Sequence, residues 1–204
     1  LFTPTNRFDG AALIERIDEL EKALRKSNGR AVILVHPRFH LYTPFREADP
    51  RKTAHGRKYL AIQREVVRKS KLPVIVFEAE NHVNSTKKAF GKKVFMVPAG
   101  RDNPIDPEPV EGWANLLNAL RERGLKHGIF GGQKLSCMPF GASPEAPTSS
   151  GRVVLNALRL EGSGVALNGA VDVYGCVGGA MRNFVRRGLE VSLMQHVVFP
   201  KKLH

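Results

Sequence analysis

Short apolar runs rich in β-branched residues recur along this chain, and they constrain its fold more than any other feature. Ala31–Val35 (AVILV), Leu72–Phe77 (LPVIVF) and Val94–Val97 (VFMV) each have the length of one strand, and the less apolar Lys126–Phe130 (KHGIF) reads as a fourth. Unbroken apolarity, without alternation, is what a strand buried on both faces requires. The segments between them have helical spacing. Residues 9–27 place Leu13, Ile14, Ile17, Leu20 and Leu24 on one face, with Asp9 as the N-cap and Asn28-Gly29 as the stop. A basic helix is expected from about Arg57 to Lys69, with Tyr59, Ile62, Val66 and Val67 facing inward. Lys87–Phe90 forms a turn or short helix, and Trp113, Leu116, Leu117 and Leu120 mark a helix closed by Gly124. This alternation predicts an α/β fold: a three-layer sandwich with a mostly parallel central sheet and helices on both faces.

The rhythm changes after Leu135. Residues 136–151 are rich in Pro, Ser and Gly and read as an irregular excursion. Val153–Leu160 and Val165–Tyr174 read as a hairpin, with a short helix over Val153–Arg159 as the alternative. A helix over Val177–Arg187, ended by Gly188, and a strand over Val191–Phe199 follow, with Lys201-Lys202 as a basic tail. No repeat or long linker divides the chain. The expectation is one domain over 1–204 carrying an inserted loop and hairpin at about 136–169, before the last helix.

At the start of that helix, Gly175-Cys176-Val177-Gly178-Gly179 puts a thiol where backbone N–H groups point outward and the helix dipole is positive. Such a place lowers a thiol pKa and suits a developing oxyanion. The plain alternative is a small buried residue filling a tight turn. In open α/β sheets, ligands bind beyond the carboxyl ends of the strands. The residues expected at that edge are His36, Glu78, Glu80, His82, Gly100, Gln133 and Cys176. A cysteine with a histidine or carboxylate nearby is the usual means of preparing a thiolate nucleophile. Glu80-x-His82 is half of a metal motif without a third ligand, so no metal is expected, and no cofactor. The glycines at 175, 178 and 179 match neither GxGxxG nor a P-loop, which weakens a nucleotide reading.

Charge bears on partners. The chain carries a formal charge of +13, and from Arg51 to Lys71 eight Lys/Arg residues stand against Glu65 alone. That run reads first as a solvated helix face. Its alternative is a patch that steers phosphates or nucleic acid, although no nucleic-acid motif accompanies it. No apolar stretch approaches the ~20 residues needed to span a bilayer, and no signal-peptide pattern is present. Cys137 and Cys176 form no disulfide framework, which points to a reducing interior and a cytoplasmic location.

The C-terminal spacing resembles the isochorismatase-like cysteine hydrolases. Cys176-Val177 is followed by Ala180, Gly188, Glu190-Val191 and an apolar strand; Leu116, Leu117, Leu120 and Arg123-Gly124-Leu125 precede a strand ending in glycine. AVILV and VIVFEAENH look like the first and second strands of that superfamily. The resemblance implies that Cys176 is the nucleophile, and that Gly175, Val177 and Gly178 hold the substrate together with Gln133, Glu80 and His82. It implies Lys88, or its neighbour Lys87, as the catalytic lysine. Where the family has a catalytic aspartate this chain has His36, and imidazole is a competent base near neutral pH.

The expected activity is therefore cysteine-dependent hydrolysis of an amide, imide or carbamoyl C–N bond in a small molecule. Further copies of the chain are the expected partners. The alternative is a non-catalytic α/β domain that binds a nucleotide, another anionic ligand or RNA through its basic surface.

Overall fold

The computed structural model describes residues 14–38, 41, 50–98, 113–139, 151–158 and 169–203. The Asp9 cap, Gly100 and most of the 136–169 insertion's loops lie outside them. The described elements, in order, are α1 (Ile17–Lys26), β1 (Arg30–Val35), α2 (Pro50–Lys69), β2 (Val74–Glu78), α3 (Val83–Phe90), β3 (Val94–Pro98), α4 (Trp113–Glu122), β4 (His127–Pro139), β5 (Gly151–Leu158), β6 (Gly169–Tyr174), α5 (Gly175–Val185) and β7 (Glu190–Leu203).

They form a seven-stranded, mostly parallel open sheet. Parallel pairing joins β3 to β2, β2 to β1, β1 to β4, β4 to β7 and β7 to β5. Antiparallel β6 pairs with the far half of β4 and with β5. The β5–β6 pairing confirms the hairpin. β5 gives residues 151–155 to β6 and then turns residues 156–158 to β7.

The sheet is buried on both faces, as the unbroken apolar runs demanded. On one face Ile33, Ile75, Phe77, Val97 and Phe130 pack beneath Leu20 and Leu24 of α1, Leu117 and Leu120 of α4, and Phe184 of α5. Phe184 meets Phe130 and Phe77 edge-on, with centroids 4.8 and 6.2 Å away. On the other face Val32, Leu34, Val76 and Met96 pack against Leu60 and Val67 of α2 and Phe90 of α3. The three-layer sandwich is thus the observed architecture.

Several boundaries move. The basic helix begins at Pro50 rather than near Arg57, and its inward line is Leu60, Gln63 and Val67, with Tyr59, Ile62 and Val66 only half-buried. β4 does not stop at Phe130; it runs to Pro139, taking in Gly131-Gly132 and part of the expected excursion. Tertiary pairing overrides the turn propensity of those glycines, and the β4–β7 register shifts three times between Phe130 and Cys137. β7 likewise continues through Lys201-Lys202, because Leu203 pairs with Cys137. α5 starts at Gly175, two residues early, so Cys176 lies inside the helix.

Candidate functional site

β6 passes into α5 without a loop. Gly175 adopts φ 77°, a left-handed value that glycine reaches at no steric cost, and helix follows at once. Cys176 is therefore the second residue of α5, fully buried in the cluster that also holds Val173, Val177 and Ala180. Gly178, one turn in, lies against Val173: a Cβ there would stand 2.9 Å from the Val173 carbonyl carbon. Val177 rests on Gly132, whose notional Cβ would come within 2.7 Å of Val177 Cγ2. Since Gly132 is the register partner of Val35, these contacts seat the first turn of α5 at the carboxyl end of β1, against the middle of β4. The first N–H groups of that turn have no acceptor within the helix, which is the electrostatic basis for holding an anion there.

His36 follows Val35 at the same edge. It is only 3% exposed and has φ 43°, a left-handed conformation that is costly for a residue with a Cβ. Its backbone N–H donates to the Phe77 carbonyl at 2.9 Å, extending the β1–β2 ladder by one step. His36 and Glu78 are thus the residues that follow Val35 and Phe77, the last register pair of the β1–β2 ladder. Glu78 is fully buried. Its Oε1 accepts from the Ala79 N–H at 3.0 Å, and its Oε2 accepts from Thr86 Oγ1 at 2.7 Å. Sequence reasoning placed Glu78 at the edge but missed Thr86. The available signal was a hydroxyl one turn before Phe90 on the inward face of a short helix.

The remaining candidates are not all gathered there. α3 runs back from the carboxyl end of β2 towards the amino end of β3, so Lys87 and Lys88 in its last turn are carried away from the His36 edge. Lys88 is exposed, and Lys87 pairs with Glu15. α3 also covers the face of the sheet opposite the Cys176 cluster. The direction of α3 thus gives no support to the expectation of a lysine beside the thiol. His82 ends a 3-10 turn, Glu80–His82, directly after β2. Burial, reinforced by the charge of Arg38, holds its imidazole below the ordinary histidine range. The side chains of Glu80 and Gln133 lie outside the described residues, as does that of Cys137. Among the described residues no group of three His, Cys, Asp or Glu side chains could hold a metal. No described helix is long and apolar enough to cross a membrane.

Fold and edge together define an α/β protein whose candidate site sits beyond the carboxyl ends of parallel strands, where such folds bind ligands. In comparisons with known proteins, the chain matches no family model, no curated protein and no solved structure.

Proposed function

We propose that the chain is a cysteine-dependent hydrolase of the isochorismatase-like kind, acting on a C–N bond adjacent to a carbonyl in a small molecule. The observation that carries this reading is the seating of α5. Through Val177, Gly132 and Val35, its first turn is fixed at the strand edge that also carries His36. In the proposed reaction, Cys176 Sγ attacks the carbonyl carbon and its proton passes to the His36 imidazole. The N–H groups of the first turn of α5 hold the oxyanion. The C–N bond breaks, the departing nitrogen takes the proton back from His36, and a thioester remains on Cys176. Water, deprotonated by His36, then releases the acid and restores the thiol. No step of this reaction calls on a lysine. The left-handed conformation of His36 also favours this reading, because strained backbone collects at functional sites.

The test is a panel of small primary amides, imides and carbamates, with intact-protein mass spectrometry to trap the thioester. Turnover on at least one member, an acyl adduct at Cys176 and loss of both in Cys176→Ala are expected, with circular dichroism unchanged. Full turnover in Cys176→Ala, or neither adduct nor turnover anywhere on the panel, overturns the proposal.

A further inference from the structure

The opposite edge of the sheet carries a second feature, unconnected to the thiol. Where α1 ends and β2 and β3 begin, two shallow grooves adjoin, of about 300 and about 220 Å³, and both are lined by Val67 and Lys93. Lys26 and Lys71 line the first, and Arg64 and Arg68 line the second. Five cations from three separate chain segments thus border one continuous trough, with no acidic residue in its lining.

Two hydrogen bonds fix its shape. Arg64 Nε donates to the Ala89 carbonyl at 2.9 Å, and Lys93 Nζ donates to the Arg68 carbonyl at 3.2 Å. These bonds tie α2 to the far end of α3 while keeping both charges on the trough. The acid nearest in sequence, Glu65, is already occupied by Arg68 at 2.5 Å and Lys69 at 2.9 Å. These partners pull its carboxyl pKa down to about 2, so it stays paired at any ordinary pH. Lys26 and Lys71 have no ion-pair partner among the described residues. Arg57 and Lys58 on α2, Lys88 on α3 and Lys92 just after it are also exposed.

We propose that this trough is a nucleic-acid-binding surface that grips the phosphate backbone without reading bases. The cations along α2, from Arg57 to Lys69, extend over about 18 Å at the helical rise, enough to face several successive phosphates of one strand. Arg64 supplies a planar guanidinium that suits phosphate oxygens, while the Arg68 fork is held by Glu65. The trough offers no exposed aromatic ring, so base stacking contributes nothing and binding is independent of sequence. A membrane surface fits less well. The large exposed apolar side chains among the described residues are Val154 and Val185, on β5 and α5, where they cannot enter a bilayer that docks here.

Fluorescence anisotropy with a labelled single-stranded RNA of about 20 nucleotides and a DNA duplex of similar length tests the proposal. Lys26→Glu with Lys71→Glu is the test variant, and Lys126→Glu with Arg186→Glu carries the same charge change elsewhere. The wild-type chain is expected to bind and to lose about 50-fold in affinity between about 50 and 200 mM salt, as for some four phosphate contacts on a single strand. The test variant is expected to bind at least tenfold more weakly with a shallower salt slope, while the control pair and Cys176→Ala stay within about twofold. Equal weakening by the control pair overturns the proposal, as does affinity indifferent to salt. Binding to polyglutamate or anionic vesicles as tight as to either nucleic acid overturns it too.

Discussion

Thr86 Oγ1 donates a 2.7 Å hydrogen bond to Glu78 Oε2, and both side chains are wholly withdrawn from solvent. The bond joins the carboxyl end of β2 to the middle of α3, so it fixes the helix that covers one face of the sheet. A buried carboxyl group deprived of a donor keeps its desolvation cost and loses the compensation. Thr86→Val, nearly isosteric, is expected to lower unfolding free energy by about 2 kcal/mol in urea titrations. Thr86→Ser, which keeps the hydroxyl, is expected to restore most of it. Equal stability of Thr86→Val and the parent chain would show that the hydroxyl contributes nothing.

Gly132 is the counterpart on the other face. A Cβ there would lie 2.3 Å from the Val35 carbonyl oxygen, a backbone atom that cannot rotate aside. Gly132→Ala is expected to push α5 off β4 and to cost about 3 kcal/mol, the upper part of the range for overpacked cores. The same substitution should abolish any turnover that depends on Cys176, because Val177 bears directly on this position. A Gly132→Ala chain that melts with the parent and retains its activity would disprove the seating argument.

What the sequence made legible, and what it hid, follows from how each signal arises. The β1 and β2 strands were plain because burial on both faces leaves an unbroken apolar run. Cys176 could be placed at the strand edge because glycine punctuation on either side marks a strand-to-helix turn. The continuation of β4 through Gly131-Gly132 was hidden, since local propensity reads glycine pairs as turns while the pairing with β6 and β7 is non-local. Lys88 is a case of a different kind. It came from the family resemblance alone, and its position depends on the direction of α3, which a resemblance over other segments does not encode. The basic run on α2 was obvious, whereas the contributions of Lys26 and Lys93 to the same trough emerge only from packing.

Arg16 shows how one side chain can close an edge. Its Nη2 donates to the carbonyls of Val94 at 2.7 Å and Lys92 at 3.1 Å, and its guanidinium lies 4.7 Å from the Phe95 ring centroid. Two carbonyls and a ring face are satisfied by one planar fork, which a lysine ammonium does not reproduce. Arg16→Lys is expected to cost about 1 kcal/mol and to speed amide exchange at the start of β3. If exchange of the Val94 and Phe95 amides is unchanged, the fork is not what holds that strand.

Stability should fall on mild acidification, for a reason separate from any carboxylate. His82 and His127 both have imidazoles held below the ordinary histidine value in the folded chain. For His82 burial leads, and Arg38 reinforces it. For His127 burial leads, Glu190 opposes it and Arg30 reinforces it. The unfolded chain takes up protons at these residues near pH ~6.5, whereas the folded chain resists until lower pH. Between those points the unfolded state binds more protons, so the folded state loses ground as pH falls through the window and keeps its full margin above it. Thermal melts at about pH 7.5 and about pH 5.5 should therefore show a lower Tm in acid. The difference should shrink in the double variant His82→Gln, His127→Gln. His127 shares a 2.6 Å hydrogen bond with Ser192 Oγ, which a glutamine side chain can retain. A pH difference in Tm that is the same in the double variant would assign the acid sensitivity to other groups, and one of opposite sign would reverse the inferred direction for both histidines.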